Sequence, residues 1–408
     1  MKYGLIGEKL GHSFSKPIHE KIGGYEYEIK EISKEDLDAF MRAKNFSGIN
    51  VTIPYKSAVI PYLDCIDPVA EGIGAVNTVI NREGRLYGYN TDFGGMKMLI
   101  EKQGFSYKNK KVLVLGTGGT SKTACAVAAS LGAGEVVTVS RRGDVNYENV
   151  YSLHGDAAFI INTTPVGMYP DNFSAPVDLS LFYALEGVTD VIYNPIKTRL
   201  CLEAEKLGIP SEGGLYMLVA QAVLASEYFL GKELELKSLT DEAFQSIKRQ
   251  KQSIVLIGMP GSGKTTVGKA LSEKTGREFI DTDEMIVRDH GDISSIFASR
   301  GEAYFRNLEA EAVKEASKRS GAIIATGGGA VLKRENVEAL SQNGIVFFLN
   351  RPLEDIVPTD DRPLSRDSEA LKKRFEERYG LYLSSADYEI HIDGVAENAV
   401  SKITEIMK

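Results

Sequence analysis

Short apolar runs separated by polar, helix-favouring stretches recur along the whole chain. Apolar runs at 3–6, 111–115, 135–140 and 253–257 are each four to six residues long, and a turn-forming or glycine-rich segment follows each of them. Runs of this length, rich in valine, isoleucine and leucine, are typical of buried β-strands. Strands that alternate with helical segments predict an α/β fold with parallel sheets.

The length of the chain predicts more than one domain. Its 408 residues exceed what one hydrophobic core usually serves, and its composition, 43% hydrophobic and 25% charged, is that of a globular protein. The expected division is a first αβ domain at 1–100 completed by a helix at about 214–250, a second domain at 101–247, a short joint at 248–252 and a third domain at 253–408.

Charge and cysteine usage exclude some kinds of partner and site. A net charge of -8 argues against nucleic acid or an anionic membrane as a general partner, while clustered basic residues can still bind small anions. Cys65, Cys125 and Cys201 lack metal-ligand spacing, which predicts thiols in a reducing compartment. With no long apolar segment, we expect a cytoplasmic protein without a signal peptide or membrane span. The sequence leaves the oligomeric state open.

The stretch GMPGSGKT at 258–265 is a complete G-x-x-x-x-G-K-[ST] phosphate-binding loop. A predicted strand enters it and a predicted helix leaves it, so that backbone N–H groups and the helix N-terminus face a phosphate. In such a loop Lys264 reaches the β and γ oxygens and Thr265 binds Mg²⁺. The motif predicts an ATP or GTP site. Its expected members are Gly258, Gly261, Ser262, Gly263, Lys264, Thr265 and Thr266.

Two carboxylates follow the next predicted strand. Asp281 and Asp283 are separated by one residue, which places both on the same side if they extend from a strand. Asp281 could then hold Mg²⁺ through water, and Asp283 could accept a proton from a substrate hydroxyl. The alternative is an ordinary polar strand end.

A second strand, loop and helix unit begins at residue 111. Its loop, GTGGTS at 116–121, departs from the dinucleotide-binding pattern G-x-G-x-x-G because Ser121 occupies the third glycine position. We expect Gly116, Gly118 and Gly119 to contact the pyrophosphate, as in a Rossmann-like domain.

The residues after the second strand of this unit indicate which dinucleotide binds. Enzymes that use NAD usually carry an acidic residue there, whereas this chain has Ser140, Arg141 and Arg142. Two guanidinium groups suit a 2′-phosphate, which favours NADP; the alternative is a solvated basic turn.

Residues before position 100 are ambiguous when each is considered alone. Ser13 and Ser15 could face one anion, although their spacing favours capping of the helix that Pro17 begins. Lys56 follows a predicted strand in which apolar and polar residues alternate up to Pro54, and a lysine at that position would ordinarily be solvated. Asp92 would most simply cap a helix.

Four motifs in this part of the chain together resemble the shikimate dehydrogenase family. They are G-x-x-x-x-H-S-x-S at 7–15, N-x-T-x-P-x-K at 50–56, G-A-x-N-T at 74–78 and N-T-D at 90–92. Segments 161–168, 190–195 and 214–221 also resemble this family. The resemblance implies that shikimate is bound by Ser13, Ser15, Thr52, Asn77, Asp92, Tyr193 and Gln221.

The same resemblance implies that Lys56 and Asp92 are the catalytic pair. Ketone reduction needs a proton donor at the developing alkoxide, and a lysine held by a carboxylate supplies both the proton and positive charge. Which of the two is the formal acid stays open.

The C-terminal part resembles the shikimate kinase family over essentially all of residues 253–408. The motifs follow the order GxxGxGKT, D-T-D, F-R-x-x-E, G-G-G, R-P-L and R-x-x-x-Y. The resemblance implies shikimate binding by Asp283, Arg306, Gly328 and Arg378, with both arginines at the carboxylate, and catalysis by Asp283 and Lys264. Arg362 would close on the transferred phosphoryl group. The adenine contacts stay open, because 353–358 is short and Gly380 stands where proline is common.

Together the two resemblances imply a bifunctional enzyme with small-molecule substrates. NADPH would reduce 3-dehydroshikimate to shikimate, and ATP with Mg²⁺ would phosphorylate shikimate to shikimate 3-phosphate. One alternative is a first half that also oxidises quinate, and another is a non-catalytic regulator that responds to shikimate. The presence of Lys56, Asp92, Lys264 and Asp283 favours an enzyme.

Overall fold

The computed structural model describes residues 1–10, 14–356 and 368–408, which form two compact units at 1–247 and 248–408. Two predicted site residues, Ser13 and Arg362, lie outside the described residues. The boundary between the units coincides with the start of the predicted joint. Among the described helices, none has the length and apolarity required to cross a bilayer.

The N-terminal part of the first unit is built on a mixed sheet. Its strands are β1 (Tyr3–Gly7), β2 (Glu28–Glu31), β3 (Gly48–Val51), β4 (Cys65–Ile66), β5 (Thr78–Arg82) and β6 (Arg85–Tyr89). Its helices are α1 (Ser15–Gly23), α2 (Leu37–Ala43), α3 (Pro68–Ile73) and α4 (Thr91–Lys102), with a 3₁₀ turn at Ile60–Tyr62.

In this sheet the strand order is β2-β1-β3-β5-β6-β4. Strand β3 pairs in parallel with β1 and antiparallel with β5. The prediction of an alternating strand up to Pro54 is wrong, because β3 ends at Val51 and all four of its residues are buried. Because both faces of an interior strand are covered, neither face needs polar residues, and apolar and polar positions do not alternate along it.

The second part of the first unit has a parallel sheet. Its strands are β7 (Lys111–Leu115), β8 (Glu135–Val139), β9 (Phe159–Asn162), β10 (Gly187–Asp190) and β11 (Ser211–Glu212). Its helices are α5 (Gly119–Ser130), α6 (Val150–His154) and α7 (Arg199–Lys206), with a 3₁₀ turn at Leu179–Leu181. The order β11-β10-β9-β7-β8 is parallel throughout, which confirms the Rossmann-like prediction.

Two long helices follow, α8 (Leu215–Leu230) and α9 (Leu236–Lys251). Helix α8 returns to the N-terminal part and packs closely on α4. A Cβ atom at Gly95 of α4 would lie 2.9 Å from Met217 O and 3.0 Å from Gln221 N, so only glycine permits this approach. The packing brings the first turn of α4 next to Gln221, a predicted substrate residue.

A fully buried carboxylate ties together the ends of neighbouring strands in the second sheet. Asp190, the last residue of β10, accepts hydrogen bonds from Asn162 Nδ2 at 3.1 Å and Thr198 Oγ1 at 2.7 Å. It also accepts one from Ile192 N at 3.0 Å. Burial raises the pKa of Asp190 to about 6, although these hydrogen bonds oppose the shift. The network fixes the loop that leads from β10 to Tyr193.

The second unit is organised around another parallel sheet. Its strands are β12 (Ser253–Ile257), β13 (Phe279–Asp281), β14 (Ile323–Ala325), β15 (Gly344–Asn350) and β16 (Tyr388–His391). Its helices are α10 (Lys264–Thr275), α11 (Thr282–His290), α12 (Ile293–Ser317), α13 (Arg334–Asn343), α14 (Ser368–Ser385) and α15 (Ala396–Ile406). Short 3₁₀ turns occupy Ala330–Leu332 and Leu353–Asp355.

The strand order β13-β14-β12-β15-β16 is parallel at every pairing, which confirms the predicted α/β class. The phosphate-loop strand β12 has the predicted bounds and lies at the centre of the sheet. Helix α12 is kinked at Gly301, where φ is 79°. Residues 248–251, part of the predicted joint, are helical, and only Gln252 separates α9 from β12.

Replacing a core leucine of the second unit should lower the stability of that unit alone. Leu256 on β12 is fully buried, and Leu256→Ala should reduce the free energy of unfolding by about 2–5 kcal/mol. Because the two units have separate cores, calorimetry should show one transition moving and the other unchanged. Leu383→Ala, at an exposed leucine, is the matched control. Equal displacement of both transitions would contradict this prediction.

The buried Asp190 predicts a stability difference that depends on pH. Its folded pKa of about 6 exceeds the ordinary 3.8, so the folded state binds the proton more tightly. The stabilisation is therefore complete below about pH 4 and is lost as pH rises through 6, by about 3 kcal/mol. Asp190→Asn removes this titration. Urea unfolding should show the free energy of unfolding of the natural chain falling relative to that of the variant between pH 4 and pH 7. A difference between the two proteins that does not change with pH would refute the argument.

Candidate functional sites

A cavity of about 360 Å³ lies in the first unit, beside the ends of β3 and β10 and the start of α8. The predicted residues that it brings together are Ser15, Thr52, Lys56, Asn77, Asp92, Tyr193 and Gln221. They come from segments that are up to 206 residues apart in sequence, the separation of Ser15 and Gln221. Ser13 lies outside the described residues, and the substrate role of each of these residues stays a prediction at this point.

The central polar contact of this cavity is an ion pair. Lys56 Nζ lies 2.5 Å from Asp92 Oδ2, and the two side chains are only 23% and 14% exposed. The simple expectations of a solvated Lys56 and a helix-capping Asp92 are wrong. Asn90 caps α4 instead, accepting a hydrogen bond from Phe93 N at 3.1 Å, which leaves the Asp92 carboxylate available to hold the ammonium group.

A set of buried amide and hydroxyl groups orients the neighbouring Asn77. Its Oδ1 accepts from Thr91 N at 2.7 Å, and its Nδ2 donates to Thr91 Oγ1 at 3.1 Å. Asn50 donates from Nδ2 to Thr78 Oγ1 at 3.0 Å and also lines the cavity. Asn50 and Thr91 belong to the motifs at 50–56 and 90–92, but the neighbouring sequence gave no reason to single them out.

The glycine loop before α5 is shaped to receive a phosphate. Gly116 has φ 111°, and Ser121 Oγ donates to Gly116 O at 2.7 Å, so the serine closes the turn where another glycine would be expected. A Cβ at Gly118 or Gly119 would meet no atom within 4 Å, which shows open space at the helix N-terminus. This geometry fits a pyrophosphate. Thr120 of the same loop lines the substrate cavity.

The basic residues after β8 are available to a ligand. Arg141 and Arg142 are exposed in the turn that follows Val139, and Ser140 is half-buried. The next acidic residue along the chain is Asp144, so the strand end itself carries none. Exposed guanidinium groups at this position fit a 2′-phosphate.

A second cavity, of about 330 Å³, lies in the second unit. The predicted residues that line it are Gly261, Gly263, Lys264, Thr265, Thr266, Asp281, Asp283, Arg306, Gly328 and Arg378. Gly258 and Ser262 do not line it, because both make contacts that hold the conformation of the loop itself. Ser262 is buried and its N–H donates to Met259 O at 3.1 Å, and a Cβ at Gly258 would lie 2.7 Å from Leu349 O.

The phosphate loop has the conformation that its sequence predicts. Gly263, with φ 93°, directly precedes α10, whose first residue is Lys264. Lys264 Nζ donates to Gly258 O and Met259 O, both at 2.9 Å, so the ammonium group lies inside the loop. Thr265 Oγ1 donates to Asp281 Oδ2 at 2.8 Å. A hydroxyl in contact with a carboxylate is a donor set that fits Mg²⁺.

The prediction that Asp281 and Asp283 project together from a strand is wrong. Strand β13 ends at Asp281, whose Oδ1 accepts from Asp283 N at 3.0 Å and caps α11. Asp283 therefore belongs to the first turn of that helix. Capping ends the strand because the carboxylate satisfies an N–H group that has no partner within the helix. Both residues still line the cavity.

Arg306 and Glu309 form a buried ion pair rather than a surface one. Arg306 Nη1 lies 2.8 Å from Glu309 Oε2, and the side chains are 11% and 1% exposed. Arg306 Nη2 also lies 2.9 Å from Glu302 Oε1. Burial raises the pKa of Glu309, and the positive charge of Arg306 opposes this shift. Glu309 is a site residue that sequence reasoning missed, because i, i+3 spacing does not reveal burial.

The glycine run 327–329 lets the side chains of the site approach the backbone. A Cβ at Gly327 would lie 2.6 Å from Asp283 Oδ1 and 2.7 Å from Glu309 Oε1. A Cβ at Gly329 would lie 1.9 Å from Arg306 Nη1. Larger residues would displace the charged groups that line the cavity.

The carbonyl of Gly328 anchors helix α14. It accepts a hydrogen bond from Arg378 Nη1 at 3.1 Å and another from Tyr382 OH at 2.5 Å. Arg378 is only 6% exposed and lines the cavity. Two further arginines on the wall, Arg351 and Arg374, were not predicted. For Arg374 the available signal was its position four residues before Arg378, on the same side of a helix.

Comparisons with known proteins agree with this division of sites. The family model for the shikimate dehydrogenase substrate binding domain matches residues 5–79, and the shikimate kinase model matches residues 260–408. Shikimate dehydrogenase (NADP(+)) of Clostridium perfringens (strain SM101 / Type A) is 33% identical over 267 residues, which are 60% of this chain and 98% of that protein.

Solved structures match the same part of the chain. Shikimate dehydrogenase 1 from Peptoclostridium difficile is 36% identical with a TM-score of 0.56, covering 60% of this chain and 98% of that one. Shikimate 5-dehydrogenase from Thermus thermophilus, solved in complex with NADP(H) and shikimate, is 28% identical with a TM-score of 0.53, over 60% and 99% of the two chains. The chain therefore belongs to the shikimate dehydrogenase family through its first unit, and it carries a shikimate kinase domain in residues 260–408.

Proposed function

We propose that the first unit reduces 3-dehydroshikimate to shikimate with NADPH, and that the second phosphorylates shikimate to shikimate 3-phosphate with ATP and Mg²⁺. The observation that carries the proposal is the contact between Lys56 and Asp92 in a cavity whose wall also includes the polar side chains predicted to bind the substrate. The product of the first reaction is the substrate of the second. Cys65, Cys125 and Cys201 are free thiols, which supports a cytoplasmic location.

In the first reaction the protein positions the ketone and stabilises the charge that develops on its oxygen. NADPH supplies the hydride when it is bound at the glycine loop. Lys56, held by Asp92, places its ammonium group where the alkoxide forms, and the pair delivers the proton. Thr52, Asn77 and Gln221 offer hydroxyl and amide groups to the hydroxyls of the substrate.

The carboxylate of the substrate is assigned to Ser15, which starts α1 at the wall of the cavity, together with Ser13. Tyr193 closes the cavity from the loop that Asp190 holds. The proposal assigns the pyrophosphate of NADPH to Gly116, Gly118 and Gly119.

In the second reaction the protein aligns a hydroxyl of shikimate with a phosphate. ATP supplies the phosphoryl group when it is bound at the phosphate loop. Asp283 accepts the proton of the attacking hydroxyl, and Lys264 compensates charge on the phosphate oxygens. Thr265 and Asp281 would hold Mg²⁺. Arg306 and Arg378 present guanidinium forks to the carboxylate of shikimate, and Arg362 is assigned to the transferred group.

The overall proposal is tested with the purified chain and one substrate. With 3-dehydroshikimate, NADPH, ATP and Mg²⁺ present, we expect shikimate 3-phosphate to form. Omitting ATP should stop the reaction at shikimate, and omitting NADPH should stop it completely. Detection of no shikimate from a folded protein would refute the first half of the proposal, and shikimate without its phosphate would refute the second.

The preference for NADPH should depend on the basic turn after β8. Arg141→Ala removes a charge-assisted contact to the 2′-phosphate, worth about 1.5–3 kcal/mol. The KM for NADPH should therefore rise about ten- to a hundredfold, with the KM for NADH nearly unchanged. Arg82→Ala, at an exposed arginine of the same unit, is the control. Equal effects on the two cofactors would disprove the assignment.

The two reactions should be separable by substitution. Lys56→Ala removes the cationic member of the pair that delivers the proton and should lower dehydrogenase turnover at least about a hundredfold, while kinase activity is retained. Asp283→Asn removes the base of the second site and should have the opposite selectivity. Each activity is measured separately, with shikimate supplied directly for the kinase assay. Loss of both activities in either folded variant would contradict independent sites.

A further inference from the structure

A third guanidinium group lines the second cavity, together with the two arginines that the proposed function assigns to the carboxylate. Arg374 lies on α14 one turn before Arg378, and residues four apart occupy the same side of a helix. Both line the cavity together with Arg306 of α12. Arg306, Arg374 and Arg378 thus line the cavity in which the proposed function places a single carboxylate.

The charge of Arg306 is already compensated within the protein. It forms ion pairs with Glu302 and Glu309, and the second of these is buried. Arg378 donates to the carbonyl of Gly328, which carries no formal charge. Arg306 is therefore held in a fixed orientation by carboxylates of its own helix.

The surroundings of Arg374 place it with this cluster. Its pKa is lowered by burial first and then by the positive charge of Arg378, while Glu302 and Glu377 oppose the shift. These neighbours belong to α12 and α14, as the shikimate-binding arginines do. Arg374 therefore lies close enough to Arg378 and Arg306 for their charges to interact, and several guanidinium groups on the wall of one cavity favour an anionic ligand there.

We propose that Arg374 is a further binding residue for the carboxylate of shikimate, which it shares with Arg378. A carboxylate has about four acceptor positions on two oxygens, enough for donors from two guanidinium forks. Arg306, fixed by Glu302 and Glu309, completes the site from α12. This inference deepens the proposed kinase function and rests on it.

The first test is a kinetic comparison of variants on one helix. Arg374→Met keeps the length of the side chain and removes its charge. We expect the KM for shikimate to rise about ten- to a hundredfold, with kcat and the KM for ATP changed less than about twofold. Lys373→Met, at the adjacent exposed lysine, is the matched control and should leave all three constants unchanged. An unchanged KM for shikimate, or a rise confined to ATP, would overturn the assignment.

The methyl ester of shikimate identifies the group that Arg374 contacts. In the natural chain, the ester should be phosphorylated with a much lower kcat/KM than shikimate, because it lacks the anionic carboxylate. In Arg374→Met that penalty should shrink by about the same factor by which the KM for shikimate rises. The same penalty in both proteins would show that Arg374 contacts another part of the substrate and would refute the proposal.

Two further measurements keep the outcomes distinct. If Arg374→Met fails to fold, Arg374→Lys carries the test, because it keeps the charge and loses the fork, so a smaller rise in the KM for shikimate is expected. An unaltered KM in Arg374→Lys with an undiminished ester penalty would then refute the role of Arg374. If the natural chain does not phosphorylate shikimate at all, the proposed kinase function itself fails. If the natural chain phosphorylates shikimate and the Arg374 variants leave the KM for shikimate and the ester penalty unchanged, only this inference is refuted.

Discussion

The parallel pairing of strands is the constraint on which both sites depend. Parallel strands place their carboxyl ends at one edge of the sheet, so the loops that follow them meet there. Strands β7 and β10 thereby bring the glycine loop and Tyr193 to one edge, and β12, β13 and β14 do the same for the phosphate loop, Asp281 and the glycine run. Sequence-distant residues converge because their strands belong to the same parallel sheet.

In each cavity a carboxylate holds a cation that forms part of the cavity wall. Asp92 holds Lys56 in the first unit, and Glu309 holds Arg306 in the second. Such a pair keeps the cation in position, and the attraction between the two charges offsets part of the cost of burying them. The net charge of -8 is therefore compatible with anionic ligands, because local clusters rather than the overall charge set the potential inside a cavity.

Close backbone approach is the second device that the sites share. Gly95 lets α8 pack on α4, and Gly327 leaves room for Asp283 and Glu309. The glycines at 327–329 leave room for charged side chains that line the second cavity. Neither role is visible from spacing, because the clashing atoms belong to other elements.

The sequence by itself determined the features that are local. The phosphate loop between β12 and α10 and the bounds of β7 follow from short apolar runs and glycine positions, since those signals lie within a few residues. Only the tertiary structure decided that Asp92 pairs with Lys56, that Asp190 is buried, and that Arg374 lines the second cavity. Each of these depends on which distant segment packs against the residue, because burial and partner choice are set by packing and leave no periodicity in the chain.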